Sequence, residues 1–149
     1  MTDGTPGTMS LSQLRLGDLV PEFHALRGVD GEDYSLSSFD SHPVLVLIFV
    51  GNGCPSVKAY GGELQRIHRE YGPRGVQLVA VNANNPHLSP PDTYPLMAET
   101  ARERGWAFPY LKDDEATLAR GCGALTTPHA FVFDSARRLR YRGRLADSR

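Results

Sequence analysis

The chain has 149 residues, 40% of them apolar and 22% charged, with 16 basic against 17 acidic side chains and a net charge of −1. This fits one globular domain with its own core, and it excludes a global basic field that would draw the chain to nucleic acid or anionic lipid. No apolar run approaches the roughly 20 residues of a membrane span, so neither nucleic acid nor membrane is expected as a partner.

Residues 1–12 read as a flexible N-terminus and residues 13–149 as a single domain. The first ten residues are rich in Thr, Gly and Ser and lack the basic patch and apolar stretch of a signal peptide. Export by a leader outside this sequence stays open. Cys54 and Cys122 are the two cysteines. Two are too few for a disulfide framework, and neither has a second cysteine nearby to suggest zinc. A cytoplasmic setting with both as thiols is expected, with no metal or other cofactor. His24, His42, His68, His87 and His129 do not pair at metal-ligand spacing.

After an irregular lead-in anchored by Leu19, Val20 and Phe23, the Asp30-Gly31 turn signal suggests a hairpin within 23–35. A short helical turn is expected near Leu36–Phe39. Residues 43–50, PVLVLIFV, are apolar throughout and largely β-branched, the pattern of a strand buried on both faces. Gly51-Asn52-Gly53 ends that strand, and a helix is expected to begin near Cys54 or Pro55, because proline suits the first helical position. Val57, Tyr60, Leu64, Ile67 and Tyr71 form its apolar stripe, Gly61-Gly62 weakens its middle, and Gly72-Pro73 stops it.

Residues 76–81, VQLVAV, predict the next strand, and the Asn- and Pro-rich run 82–91 predicts a loop. A helix follows over 94–104 with Leu96, Met97 and Ala101 inward, closed by Gly105. A strand is expected at 108–111, a helix from Asp113-Asp114 to about Gly121, and a strand at 130–133. In the last strand Leu139, Tyr141 and Gly143 alternate with Arg138, Arg140, Arg142 and Arg144, which predicts one wet face and an edge guarded by charge. Trp106 is expected in the core. The order β-α-β-α-β-α-β-β, with a hairpin at its end, implies an α/β fold with a mixed sheet flanked by helices.

Several segments together resemble a known family. GDLVPEF, DGEDYSLSSF, the apolar strand feeding a Cys-Pro helix, and TTPHAFVFD resemble the redoxin (AhpC/TSA-type) branch of the thioredoxin superfamily. The segment Cys54-Pro55-Ser56-Val57-Lys58-Ala59-Tyr60 is similar to one in bacterial thioredoxin-like proteins described as thiol-disulfide isomerases, as are Asn82-Ala83-Asn84 and Phe108-Pro109-Tyr110-Leu111. The resemblance runs from about Leu16 to Arg144 and implies a thioredoxin-like fold. There are three departures. Val57 stands where thioredoxins carry their second cysteine. Leu47 and Gly51 stand where peroxiredoxins carry Pro and Thr/Ser, and Pro128 falls about where they carry an activating Arg. The sequence also stops at Arg149, before the usual terminal helix, so one sheet face is expected to be under-covered or covered by a second copy, with a truncated chain the other alternative.

The position and the resemblance make Cys54 the candidate nucleophile. A thiolate is the reactive form, and helix N-termini favour anions and lower a cysteine pKa from its usual ~8.5. The blander reading is a buried, inert thiol. Gly53 and Pro55, which flank Cys54, are expected to bind substrate, and Asn52 is expected to support the site. Lys58, one turn later, is either a charge that stabilises the thiolate or a solvated lysine. The resemblance implies that the Thr127-Pro128 bond is cis and that Thr127 and Pro128 face the cysteine, where the backbone would pair with an extended substrate. A trans proline at a strand start is the plain alternative. Cys122 is either a resolving thiol that forms a disulfide with Cys54 or a small core residue. His129, next to Pro128, is a weak candidate base. The expected function is thiol-dependent disulfide exchange or peroxide reduction, with protein or small disulfides, thiols or peroxide as substrate, an external thiol as reductant, and a homodimer as one assembly. The competing expectation is a non-catalytic peptide-binding module on the same fold.

Overall fold

The computed structural model describes residues 14–52, 55–85, 90–124 and 128–143, with the backbone alone given over 55–60. Its strands are β1 (Leu26–Gly28), β2 (Asp33–Tyr34), β3 (Val44–Phe49), β4 (Val76–Asn82), β5 (Tyr110–Lys112), β6 (His129–Phe133) and β7 (Leu139–Gly143). The helices are α1 (Pro55–Tyr71), α2 (Tyr94–Arg104) and α3 (Thr117–Cys122), with single 3-10 turns at Leu36–Phe39, Gly72–Arg74 and Pro90–Asp92. Among the described residues no helix is long and apolar enough to cross a membrane.

The strands form one sheet in the order β2-β1-β5-β4-β3-β6-β7. β3, β4 and β5 run parallel, with Val44 opposite Val76 and Ala80 opposite Tyr110. β6 lies antiparallel to β3, with Phe49 opposite His129, and β7 closes that side as a hairpin partner. This is the mixed sheet expected from the sequence. The apolar run of β3 serves both faces at once, because side chains alternate along a strand. Leu45, Leu47 and Phe49 pack with Phe23, Phe39, Leu118, Phe131 and Leu139 on one face. Ile48 and Val50 pack with Leu64, Met97, Trp106 and Tyr110 under α1 and α2 on the other. Each such fully buried side chain contributes roughly 1.5–3 kcal/mol relative to exposure.

The short elements end where local chemistry dictates. β5 starts at Tyr110 rather than 108, because Pro109 has no N–H to give a ladder and contributes only its carbonyl, which accepts from Ala80 at 2.9 Å. α3 starts at Thr117, four residues after the expected Asp113, because Asp113 turns back: its buried carboxylate accepts the Ala119 N–H at 2.9 Å. The run 82–91 is not wholly loop, since β4 continues through Asn82.

Four apolar positions face the other way from expectation. Leu19, Tyr71, Leu96 and Tyr141 are 55%, 40%, 41% and 45% exposed. Leu19 bridges Arg138 and turns the neighbouring Val20 inward instead. Tyr71 lies at the end of α1 with the Arg74 guanidinium 5.6 Å from its ring centre. In α2 the inward positions are Met97 and Ala101, leaving Leu96 outside. In β7 the register shifts between Val132 and Phe133, whose partners are Tyr141 and Leu139, so Arg140 is skipped and the alternation breaks.

Gly61 explains itself by contact. It is buried, its carbonyl accepts the Trp106 indole N–H at 3.1 Å, and a Cβ there would meet the Arg104 side chain at 2.9 Å, so the glycine that weakens α1 by propensity allows the close approach of Arg104. The expected absence of a C-terminal helix concerns chain beyond Gly143 and lies outside the described residues.

The β6–β7 turn is clamped by Arg137, whose backbone sits at φ +61°. Its guanidinium donates at 2.7 Å to both the Phe39 and His42 carbonyls, fastening the hairpin to the 3-10 turn before β3. Arg137→Ala loses both bonds and keeps the left-handed backbone, so urea denaturation should show a loss of about 1–3 kcal/mol. Arg137→Gly should recover about 1 kcal/mol of that, because glycine adopts positive φ freely. Equal losses for the two would rule out a strained backbone there.

Candidate functional site

The parallel strands deliver their carboxyl ends to one edge of the sheet, the edge where open α/β sheets place their sites. β3 leads through Val50 and Gly51 to Asn52, and α1 begins at Pro55. Cys54 and Gly53 lie between them, outside the described residues, as do Thr127 and the side chains of Pro55 and Lys58. The candidate nucleophile therefore stands in sequence between a strand's carboxyl end and the first turn of a 17-residue helix. Unpaired backbone N–H groups at such a helix start favour an anion. Pro128 is described and half-buried, directly before β6, and the expected cis bond to Thr127 falls outside the described residues.

Asn52 is held at every polar group it has to offer except its carbonyl. Its backbone N–H donates to Asp92 Oδ1 at 2.6 Å. Its side-chain Nδ2 donates to the carbonyls of Pro91 and Leu96 at 3.0 and 2.9 Å. Its Oδ1 accepts the Tyr110 hydroxyl at 2.8 Å. Asp92 is 1% exposed and also receives Asn82 Nδ2 at 2.8 Å and Asn84 Nδ2 at 3.1 Å. Lys112, 5% exposed, directs its ammonium to the carbonyls of Asn84 and Asp92, both at 2.8 Å, and to Asn82 Oδ1 at 3.3 Å. A buried charge is tolerated only when it is compensated in this way. Burial lowers the Lys112 pKa and raises that of the Tyr110 hydroxyl.

Asp92, Lys112, Asn82 and Tyr110 are absent from the residues singled out as functional by sequence. Asn82 and Tyr110 do fall in the two short segments that carried the family resemblance, which was the available signal.

The structure does not bring Cys122 to this edge as an exposed thiol. Cys122 ends α3 with no exposed surface, packed in the core with Phe131 and Leu139, and it is a free thiol. Burial, with a smaller effect of Asp113, pushes its pKa up to about 12. His129 pairs with Phe49 beside the site edge, and its ring packs 4.5 Å from that of Phe131. Its Nδ1 is buried with no hydrogen-bond partner. Burial, and then the positive field of Arg142, lower its pKa. Among the described residues no group of three or more His, Cys, Asp or Glu side chains could hold a metal ion.

The raised Cys122 pKa has a definite sign. Its thiol stays protonated in the folded chain while the unfolded chain ionises, so its contribution to stability is present below the pKa of the unfolded thiol and is lost as pH rises toward about 12. In a Cys54→Ser background, iodoacetamide at pH 8 should leave Cys122 unlabelled in folded protein and label it in urea, read by mass spectrometry. The urea midpoint should fall more steeply above pH 9 with Cys122 present than with Cys122→Ala. Equal labelling in both states would mean that the core opens readily around Cys122.

Comparison with known proteins gives this arrangement a family. The model of the AhpC/TSA family matches residues 16–142. The thiol-disulfide oxidoreductase ResA of Halalkalibacterium halodurans is 32% identical over 78 residues, and that match spans 52% of this chain and 43% of that protein's length. The crystal structure of an uncharacterised conserved protein from Geobacillus kaustophilus superposes with a TM-score of 0.87 at 38% identity, covering 93% of this chain and 73% of that one. A thiol:disulfide interchange protein of the thioredoxin family from Chlorobium tepidum TLS shares the fold, with a TM-score of 0.70 at 17% identity over 89% of this chain and 88% of that one. The matched span reaches from the lead-in to β7 and takes in the Cys-Pro turn between β3 and α1, so the chain belongs to the AhpC/TSA family and is built on the thioredoxin fold.

Proposed function

We propose that the protein is a thiol-dependent oxidoreductase in which Cys54 is the nucleophile. The observation that carries this reading is the family match over 16–142 with a cysteine at the junction of β3 and α1, one residue before the helix starts. The Cys54 thiolate attacks one sulfur of a disulfide, forming a mixed disulfide and expelling the other sulfur as a thiolate. A second thiol then attacks the mixed disulfide, restores the Cys54 thiolate and leaves with the substrate sulfur. Val57 removes the neighbouring cysteine that would do this within one helical turn, and the burial of Cys122 favours an external thiol for the step. A cytoplasmic setting, with its pool of reduced thiols, suits such a cycle.

Disulfide exchange is favoured over fast peroxide reduction. Attack on a peroxide transfers one oxygen to sulfur, giving a sulfenic acid, and releases hydroxide or alkoxide. That leaving group needs hydroxyl and guanidinium donors to take up its charge. Gly51 supplies no hydroxyl, and Pro128 stands where the resemblance would place the arginine. Thr127 and Pro128 are the proposed place for an extended disulfide-bearing peptide, held through backbone hydrogen bonds.

In a Cys122→Ser variant, the alkylation rate of Cys54 against pH should show a midpoint well below ~8.5, the free-thiol value, and below that of the urea-unfolded protein. Turnover of a small aromatic disulfide with an external thiol should fall by about 100-fold or more in Cys54→Ser, since the nucleophile itself is gone. An alkylation midpoint equal to the unfolded one, with no disulfide turnover, would remove the catalytic reading in favour of a peptide-binding role.

A further inference from the structure

We propose that Tyr110, Asp92 and Asn82 are positioning residues for the nucleophile: through Asn52 they fix the chain where it leaves β3, two residues before Cys54 in sequence. The inference rests on the reading of Cys54 as an activated thiolate and adds the means by which the thiol is kept in place.

Asn52 is two residues from Cys54 in the chain, joined through Gly53, the residue type with the greatest backbone freedom. A nucleophile tied to such a joint holds its place only if something outside the turn fixes it. Asn52 supplies that fixed point. Four hydrogen bonds reach it or leave it, and their partners come from three places: the 90–92 turn, the first turn of α2, and β5. These partners are 39 to 58 residues away in sequence, so the contacts report tertiary placement and not local turn geometry.

Behind Asn52 the network is largely buried and mutually satisfied. The Tyr110 hydroxyl donates to Asn52 and accepts from Asn82 Nδ2 at 3.2 Å. Asn82 Nδ2 also donates to the Asp92 carboxylate that receives the Asn52 N–H. The Asn82 carbonyl accepts the Asp113 N–H at 2.9 Å, and its side-chain oxygen accepts the Asn84 N–H at 3.0 Å. Satisfied polar networks in a low-dielectric interior rigidify what they contact, whereas a purely stabilising role could be filled by apolar packing. This network sits at the carboxyl ends of β3, β4 and β5, with Asn82 in register opposite Lys112, and it converges on Asn52, two residues before Cys54 in sequence. Its place fits a site device better than a core filler.

If Asn52 is released, the chain leading to Cys54 loses its fixed end, and the activation proposed for the thiol weakens. The test uses two variants that leave formal charge unchanged, so that a shift reports position rather than a lost charge. In the Cys122→Ser protein, Tyr110→Phe keeps the ring against Trp106, 5.2 Å away between centres, and removes only the hydroxyl. Asn52→Ala removes the side-chain links and keeps the backbone N–H to Asp92. The alkylation midpoint of Cys54 should rise in both by about one pH unit toward the unfolded value of ~8.5. Arg137→Ala, a destabilising change on the other side of the fold, should leave the midpoint where it was. A low parental midpoint that moves in neither network variant overturns the inference and leaves the catalytic reading standing. A parental midpoint equal to the unfolded one overturns both. Should Tyr110→Phe lose its cooperative urea transition, Asn52→Ala decides by the same criteria, and a midpoint that moves equally in Arg137→Ala counts against positioning.

Discussion

A carboxylate and an ammonium, both almost shut off from water, close the carboxyl ends of the parallel strands. Asp92 collects N–H donors from Asn52, Asn82 and Asn84 around its carboxylate, while Lys112 returns its positive charge to carbonyl oxygens of the same segment. Buried charges of this kind cost several kcal/mol each unless every lone pair and proton finds a partner. That requirement forces the chain around them into one arrangement. The 90–92 turn must lie beside β4, the end of β4 must lie beside β5, and the turn after β3 must reach back to both. The placement of Asn52 at the end of β3 descends from this electrostatic constraint more directly than from the apolar core.

The core answers a different demand. β3 divides its side chains between two apolar clusters, and the helices and the lead-in only have to cover what the strand presents. This part of the molecule could be read from the chain because each element announces itself locally. A doubly buried strand is a continuous apolar run, a proline opens a helix, and a glycine in a left-handed conformation closes one, as Gly105 does at φ +65°. The misread positions are those where a distant partner overrides the local period. Leu19 turns outward because it bridges Arg138, and Tyr141 because a bulge drops Arg140 from the register. The polar network was illegible for the same reason. Asp92 and Lys112 look like surface residues in sequence, and nothing within a helical turn or a strand period of them reveals a partner 20 or 40 residues away.

The two cysteines show how much environment decides. Cys122 is a free thiol that ends a short helix inside the core, whereas Cys54 stands in sequence just before the first turn of a long one. The first is surrounded by apolar groups and an acidic neighbour, which hold its proton. The proposed role of the second draws on the opposite surroundings, a polar strand end and a helix N-terminus. Cys122 thus serves as packing, its proton held by its surroundings and not by residue type alone.

The contact between Trp106 and Gly61 also equips the molecule with an internal optical gauge. The chain has a single tryptophan, so its fluorescence has one source. That indole is buried, tilted against the Phe108 ring and edge-on to that of Tyr110, and hydrogen-bonded to a carbonyl in the helix that follows Cys54. Any event that lifts the helix from the sheet breaks the bond and wets the ring, while an event confined to side chains at the far hairpin leaves the emission untouched. Light from one residue therefore separates movement of the helix behind the thiol from loosening elsewhere in the fold, without any label being added.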